Sequence, residues 1–472
     1  MTRALQRTAR VLAVAGALGT LSTLTACAVQ GPAQQVAAPL PAQWQAPLPH
    51  DGSVTELAKW WQQQGDALLA QLVTAAQEAS PTVASAGARI TQARSERVAS
   101  GAALAPSLDA AASVSRASQQ SALPMGTTAQ AALQASWEID LFGAGRAARD
   151  AAQARLDSAQ AGWHDARVSV AAEVANQYYA LRACEQQLDV ARQDAASRAD
   201  TARLTELAAR AGFQPPATAA LARASAADGN NRAVAQRAVC DVGVKALVAL
   251  TALPEPELRA RLAQVAPVAP PAIAIDALPA QVLRQRPDVY SAERAVAAAS
   301  ADVGNARAQR YPRLTLTGAV GAANFSTGGH STQLDTWSIG PLALTLPLVD
   351  NGRRGANVDA ASARYESAVV SYRASVRQAV REVEEALVNL HSTGEREGDA
   401  NTALQGYRES FTAMEDRYKN GMASLLELED ARRTKLAAEN TVISLRRERS
   451  AALVALYRAA GGGWTAPQQQ PQ

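Results

Sequence analysis

The chain has 472 residues, with 46 Lys and Arg against 43 Asp and Glu. A net charge of +3 spread over that length gives no basic patch of the kind that recruits nucleic acid. That length excludes one compact core, and with aromatic residues at only 4% and alanine abundant, long helices packed on small side chains fit better.

Residues 1–26 read as a lipoprotein signal peptide. Arg3, Arg7 and Arg10 precede an apolar stretch from Val11 to Leu24 that is too short to span a bilayer. Leu24-Thr25-Ala26-Cys27 has the small-residue pattern of a lipoprotein cleavage site, which makes Cys27 the expected point of lipidation. The alternative is a plain secretory leader with an incidental cysteine. Two or three acyl chains would give a stable anchor. Ala28 is not the Asp of an inner-membrane retention signal, so outer-membrane lipid is the expected attachment. Residues 27–53 then read as an acylated Pro-, Ala- and Gln-rich linker.

Beyond the linker, one large unit is written twice. Ile90, Ala93, Ala102, Pro106 and Leu108 recur as Val296, Ala299, Ala308, Pro312 and Leu314, 206 residues later. The first repeat, 54–253, reads as helix with a break at Pro81, then strands at 108–116 and 129–140, then a long helical hairpin. Its outgoing helix, Arg146 to Ala211, holds no proline and would reach roughly 100 Å at 1.5 Å per residue. The hairpin turns at Gly212. Residues 254–276 read as a Pro-rich linker between repeats. The second repeat, 277–460, has a helix, strands at 313–323 and 336–347 separated by a loop from Asn324 to Asp335, and a second hairpin turning at Gly421. A phase slip at Gly340-Pro341 predicts a bulge. Gly394, Gly398 and Gly406 are expected to loosen the outgoing helix. Residues 461–472 read as a disordered tail.

The strands alternate aliphatic with small or polar residues, and Trp137, Phe142, Tyr311, Phe325 and Trp337 fall near their ends. Membrane strands and a two-sided soluble sheet share that pattern. If the strands lie in lipid, four cannot close a barrel, because single-chain outer-membrane barrels begin at about eight. Open edges are not tolerated there, so closure requires further copies of the chain, and three copies would give twelve strands.

Cys184 and Cys240 are the thiols left after lipidation, each 28 residues from Gly212. Equal distances along antiparallel helices place them at one level, which predicts a disulfide; two small buried thiols are the alternative. His50, His164, His330 and His391 are scattered without ligand spacing, and no nucleophile, phosphate-loop or cysteine-metal pattern is present. No catalytic residue, metal or cofactor is therefore expected beyond the lipid on Cys27, and the chain is not read as an enzyme.

The segment from Leu283 to Gly318 carries Arg286-Pro287-Asp288-Val289, Ala292-Glu293, Val303-Gly304, Ala306-Arg307, Pro312 and Leu314. With Trp60-Trp61, Trp137 to Gly143, and Arg417-Tyr418 through Gly421 to Arg433, it resembles the outer-membrane efflux proteins, the TolC and OprM group, and especially their lipoprotein, NodT-like branch. The resemblance implies a mainly α fold with membrane β: a homotrimer whose strands make a 12-stranded outer-membrane barrel, continued by a periplasmic tunnel of long helices. It implies a passive efflux duct for small molecules. The expected partners are a periplasmic adaptor (membrane fusion) protein and an inner-membrane transporter of the resistance-nodulation-division class. A duct for type I protein secretion and a periplasmic structural lipoprotein without a pore are the alternatives. By motif position, Glu427 and Asp430 fall where the family narrows the periplasmic aperture; a solvated helix face paired with Arg432 and Arg433 is the other reading. Thr218 stands where the first-half motif often has an acid, and Pro215-Pro216 stiffens that turn.

Overall fold

The structure, a computed structural model, describes residues 28–46, 61, 66–118, 125–265 and 279–466. In chain order the elements are α1 Ala67–Ala79, α2 Pro81–Ala102, β1 Ser107–Ala117, β2 Gly126–Ile139, α3 Ala144–Arg210, α4 Pro216–Thr251 and α5 Glu255–Gln264. There follow α6 Pro279–Arg284, α7 Pro287–Ala308, β3 Arg313–Thr327, β4 His330–Thr345, α8 Arg353–Lys419 and α9 Leu425–Ala459. Two compact units result. Of the described residues, one unit holds 28–38, 88–118, 125–160 and 291–374; the other holds 39–46, 61, 66–87, 161–265, 279–290 and 375–466. Each unit draws on both repeats.

The first unit carries the sheet. Its four strands run antiparallel in the order β1-β2-β3-β4. Register decides which side chains share a face, because neighbours along a strand point oppositely. Leu133 pairs with Ala110 and Val320, Val320 with Trp337, and Leu316 with Trp137 and Leu342. All of these lie on one face, whose members are left open to the surroundings: Trp337 is 77% exposed and Ile339 86%. The opposite face carries Gln134, Ser136, Glu138, Thr315, Thr317 and Ser338, again in register. An open, aliphatic sheet face backed by a polar one is the pattern of a membrane barrel segment. Between Leu316↔Leu342 and Gly318↔Ile339, β4 holds one residue more than β3, so the bulge sits at Gly340-Pro341 as the phase slip predicts.

The second strand pair corrects the loop expected from Asn324 to Asp335. Pairing continues through Asn324↔Gln333, Phe325↔Thr332 and Thr327↔His330, so the connection is only Gly328-Gly329, both at positive φ. A two-residue hairpin turn needs such φ values, which glycine adopts without a Cβ penalty. The polar composition of 324–335 reflects the end of a strand pair, not a loop.

The second unit carries the main core. Leu68, Leu69, Leu72 and Val73 of α1 pack with Val174, Tyr178 and Leu181 of α3, Leu247 of α4, Leu387 of α8 and Leu453 and Leu456 of α9. Asp66 caps α1, accepting from the Leu69 amide at 3.0 Å and from the Tyr178 hydroxyl at 2.6 Å. Both hairpins run as expected, and α8 continues unbroken past Gly394, Gly398 and Gly406. Those glycines face open space, so they weaken the helix without interrupting it.

Three further expectations are corrected. Residues 255–264 of the inter-repeat linker form α5, because Leu258 and Leu262 are buried against the main core. Within the segment read as an N-terminal linker, residues 28–46 are a docked strap. The Val29 amide donates to the Phe142 carbonyl at 3.1 Å, the Tyr365 hydroxyl to the Ala33 carbonyl at 2.9 Å, and the Gln45 and Ala46 amides to the Glu384 carboxylate at 2.7 and 2.8 Å. Proline-rich backbone lacks internal hydrogen bonds and leaves its remaining polar groups free for such contacts. Residues 461–466 of the tail are ordered: three glycines at positive φ turn the chain so that Trp464 is buried beside Tyr290 and His164.

Candidate functional site: the turns of the long hairpins

The hairpin turns are built alike in the two repeats. Gly212, at φ 80°, donates to Ala209 at 3.1 Å while the Phe213 amide donates to Ala208 at 2.8 Å. Gly421, at φ 73°, donates to Tyr418 at 3.0 Å and the Met422 amide to Arg417 at 2.8 Å. These paired bonds close a helix C-terminus on a left-handed residue, and glycine has no Cβ to clash there.

The return helices start differently. Pro215 caps α4 with no side-chain bond, and Pro216 opens it. Helix α9 begins with a capping box: Ser424 Oγ accepts from the Glu427 amide at 3.2 Å, and the Glu427 carboxylate accepts from the Ser424 amide at 2.7 Å. The Ser424 backbone and hydroxyl donors hold the Glu427 carboxyl below its ordinary range. Glu427 and Asp430 are both exposed, and Asp430 pairs with Arg433. Arg432 does something else. It is 2% exposed and reaches across to α3, where Nη2 donates to Ser197 and Thr201 hydroxyls at 3.1 Å each.

Around Arg432 lies a charge cluster that the sequence reading missed. Arg198 Nε donates to both carboxylate oxygens of Asp194, at 3.0 and 2.9 Å, and Nη1 holds Glu429, which in turn holds Arg432. Arg232 of α4 reaches Asp194 at 3.3 Å, and the Tyr418 and Thr205 hydroxyls meet at 2.7 Å. Burial pushes the Arg432 guanidinium down from its ordinary value, and Glu429 opposes that shift. The spacings 194/198 and 429/432 are visible in the sequence as helix-face pairs. Their meeting across α3 and α9 is not. A cavity of about 1030 Å³ opens beside the cluster, bordered by Arg198, Val239, Glu427, Glu429, Asp430 and Arg433.

Cys184 and Cys240 are bonded, with Cα atoms 5.6 Å apart. The Gln236 amide donates to Cys184 Sγ at 3.2 Å. No group of three metal-ligating side chains occurs among the described residues. Cys27 lies outside them.

The quoted motifs have structural jobs. Arg286 is buried, with Nε and Nη2 on Asp288 at 3.0 and 2.7 Å, Nη2 on Glu382 at 2.7 Å, and Nη1 on the Ala459 carbonyl at 3.0 Å. It thereby joins α7, α8 and the end of α9. Trp137 donates from Nε1 to the Leu104 carbonyl at 3.0 Å, and Asp140 caps α3 by accepting from the Gly145 and Arg146 amides. Residues 72–253 and 278–462, nearly all of both repeats, match the profile of the outer membrane efflux proteins. The chain belongs to that family.

Among its relatives, the pyoverdine export outer membrane protein OpmQ of Pseudomonas putida is 30% identical over 458 residues, covering 94% of this chain and 96% of that protein. Outer membrane protein OprJ of Pseudomonas aeruginosa is 30% identical over 465 residues, covering 94% of each. Among solved structures, the outer-membrane channel OprN superimposes with a TM-score of 0.78 at 27% identity, covering 91% of this chain and 99% of that one. The Campylobacter jejuni CmeC outer membrane channel gives a TM-score of 0.81 at 22% identity, covering 94% and 96%. This family member is thus an outer-membrane efflux protein with the TolC-like channel fold, its strands at the membrane and its helices in the periplasm.

Proposed function

We propose that three copies of this chain close a twelve-stranded barrel and form a passive outlet for small molecules, loaded from a periplasmic adaptor and an energised inner-membrane pump. One observation carries the reading: a four-stranded sheet with an aliphatic open face, a polar opposite face and β1 and β4 at its ends. Such edges in lipid need partners, and identical chains supply them with the same register problem solved three times. Relatives named for pyoverdine export, solvent efflux and cation efflux support small molecules as the cargo rather than secreted protein. Transport down such a pore needs no catalytic group. The lipid anchor belongs on Cys27. Ala28 lies beside Gly143, in the turn between β2 and α3, and the small-residue pattern before Cys27 supports acylation there.

Glu427 and Asp430 are the gate residues in this reading, two carboxylates three apart on α9 that repeat around the axis and favour cations. The test is single-channel recording in planar bilayers. The full lipidated protein should run as a trimer with discrete conductance, and a monomer without conductance would end the duct proposal. Glu427→Gln keeps the capping bond, so Glu427→Gln with Asp430→Asn should change cation selectivity and leak at the aperture. Unaltered conductance and selectivity would remove the gate assignment while leaving the duct intact.

A further inference from the structure

We infer that an arginine-lined cavity at the periplasmic end of the sheet binds the phosphate headgroup of an anionic phospholipid from the inner leaflet of the outer membrane. The cavity measures about 350 Å³ and lies where β2 and β3 meet the helices, with Arg313, Arg353 and Arg354 around it, Asn305 and Asn357 beside them, and the carboxylates of Glu138 and Asp140 also in its lining. Ile139, Phe142 and Pro312 supply an apolar flank. That volume falls at the small end of ligand sites, and convergent donors against an apolar wall are what a headgroup and its first acyl carbons require.

Charge at this level is one-sided. Segments 138–150, 305–313 and 350–357 hold seven arginines, no lysine and four acids. The acids are already engaged. Asp140 takes the Arg146 Nε at 3.3 Å while capping α3, and Asp350 takes Arg354 Nη1 at 3.1 Å while capping α8. Asp150 is held by Arg149. Glu138 meets Arg313 at a loose 3.6 Å, with both side chains about half exposed. Arg353, which lines the cavity, is exposed and finds no carboxylate among the described residues; Arg310, at the same level but outside the lining, is likewise exposed without one. Arginine matches phosphate oxygens in a planar fork, so the unengaged Arg353 guanidinium in the lining, with the loosely held Arg313 beside it, fits this ligand better than lysines would.

Depth agrees with chemistry. The aliphatic face of the sheet reaches down to Ile139, Leu314 and Leu344, one to a few residues above the arginines, or within roughly 10 Å at strand spacing. Just beyond β4, Leu348 and Val349 are 84% and 87% exposed, and Phe142 stacks on Tyr311 at 4.9 Å. Apolar and aromatic side chains adjoining arginine mark the headgroup boundary of a bilayer, where each basic residue adds attraction to anionic lipid.

The experiment is native mass spectrometry of the detergent-solubilised, lipidated oligomer, titrated with phosphatidylglycerol and separately with phosphatidylcholine. Phosphatidylglycerol should bind in clear preference. Arg353→Gln should weaken it roughly fivefold, and Arg310→Gln with Arg353→Gln should weaken it more, about one such factor per arginine. Arg149→Gln, whose guanidinium is committed to Asp150, serves as the surface control and should change nothing. Variants are scored only when they retain the wild-type oligomer and conductance, so loss of the channel and loss of the lipid site read separately; Arg313→Gln replaces any variant that fails to assemble. Equal binding of the two lipids, an unaltered preference in the Arg353 and Arg310 variants, or displacement of phosphatidylglycerol by inorganic phosphate would each overturn the proposal.

Discussion

Glu427 shows how one carboxylate takes two roles at residue scale. Its hydrogen bonds to Ser424 favour the ionised form, so its folded pKa lies below the unfolded value. A depressed carboxyl stabilises the fold above the unfolded pKa and loses that contribution as pH falls through the folded one. The start of α9 should therefore be protected at neutral pH and fray in acid below about pH 4. Hydrogen exchange of the amides of residues 425–429 measures this. Glu427→Gln, which keeps the capping geometry without a titrating group, should flatten the pH dependence; an unchanged acid-side rise in the variant would place the sensitivity elsewhere. The position of Glu427 was legible from the turn motif, but its capping role was equally written as Ser424 three residues before it. The alternative that pairs the acids with Arg432 on a solvated face fails for Arg432, whose burial depends on α3, more than 200 residues away in the chain.

At the scale of an element, the first hairpin has an uneven core. Between residues 189 and 239 the buried apolar side chains of α3 and α4 are all alanines, with Gly229 fitted against Arg198 and Ala195. Such contacts bury little area, so tertiary bonds must hold this half in register. Two sets do so: the Asp194, Arg198, Glu429 and Arg432 cluster, and the Cys184–Cys240 bridge closing 56 residues. Closing a loop of that length constrains the unfolded chain by about 4 kcal/mol in the chain-entropy account. Cys184→Ser with Cys240→Ser should raise amide exchange over 189–239 and spare 161–183, where Val174, Tyr178 and Leu181 are fully packed. Uniform change along the hairpin, or none, would count against a local staple. Helix lengths and turns here were readable because proline, glycine and alanine act locally. The cysteines were readable because hairpin symmetry is arithmetic. The strap at 28–46, helix α5 and the Trp464 turn were not, because each owes its order to a surface supplied by distant segments.

At the scale of the whole molecule, the proposed barrel turns alternation along the four strands into an assignment of faces, aliphatic to lipid and polar to the lumen. Val320 pairs with Leu133 and Trp337 on the aliphatic face; Ala319, its immediate neighbour, pairs with Gln134 and Ser338 on the polar one. Neither position packs against a protein core, so a soluble sheet exposed on both faces would tolerate a charge at either. A barrel wall would not. Arginine toward lipid costs about 2–4 kcal/mol near the bilayer midplane, and a closed trimer incurs that cost three times, whereas arginine toward the lumen stays in water. Val320→Arg should therefore abolish the proposed trimer in outer-membrane fractions. Ala319→Arg should assemble at normal yield and shift the channel toward anions, since three guanidiniums would then ring the lumen. Equal assembly of both variants would refute the assignment of faces, and with it the closure of β1 on β4 of a neighbouring copy. Failure of Ala319→Arg alone would reverse the faces while preserving the barrel.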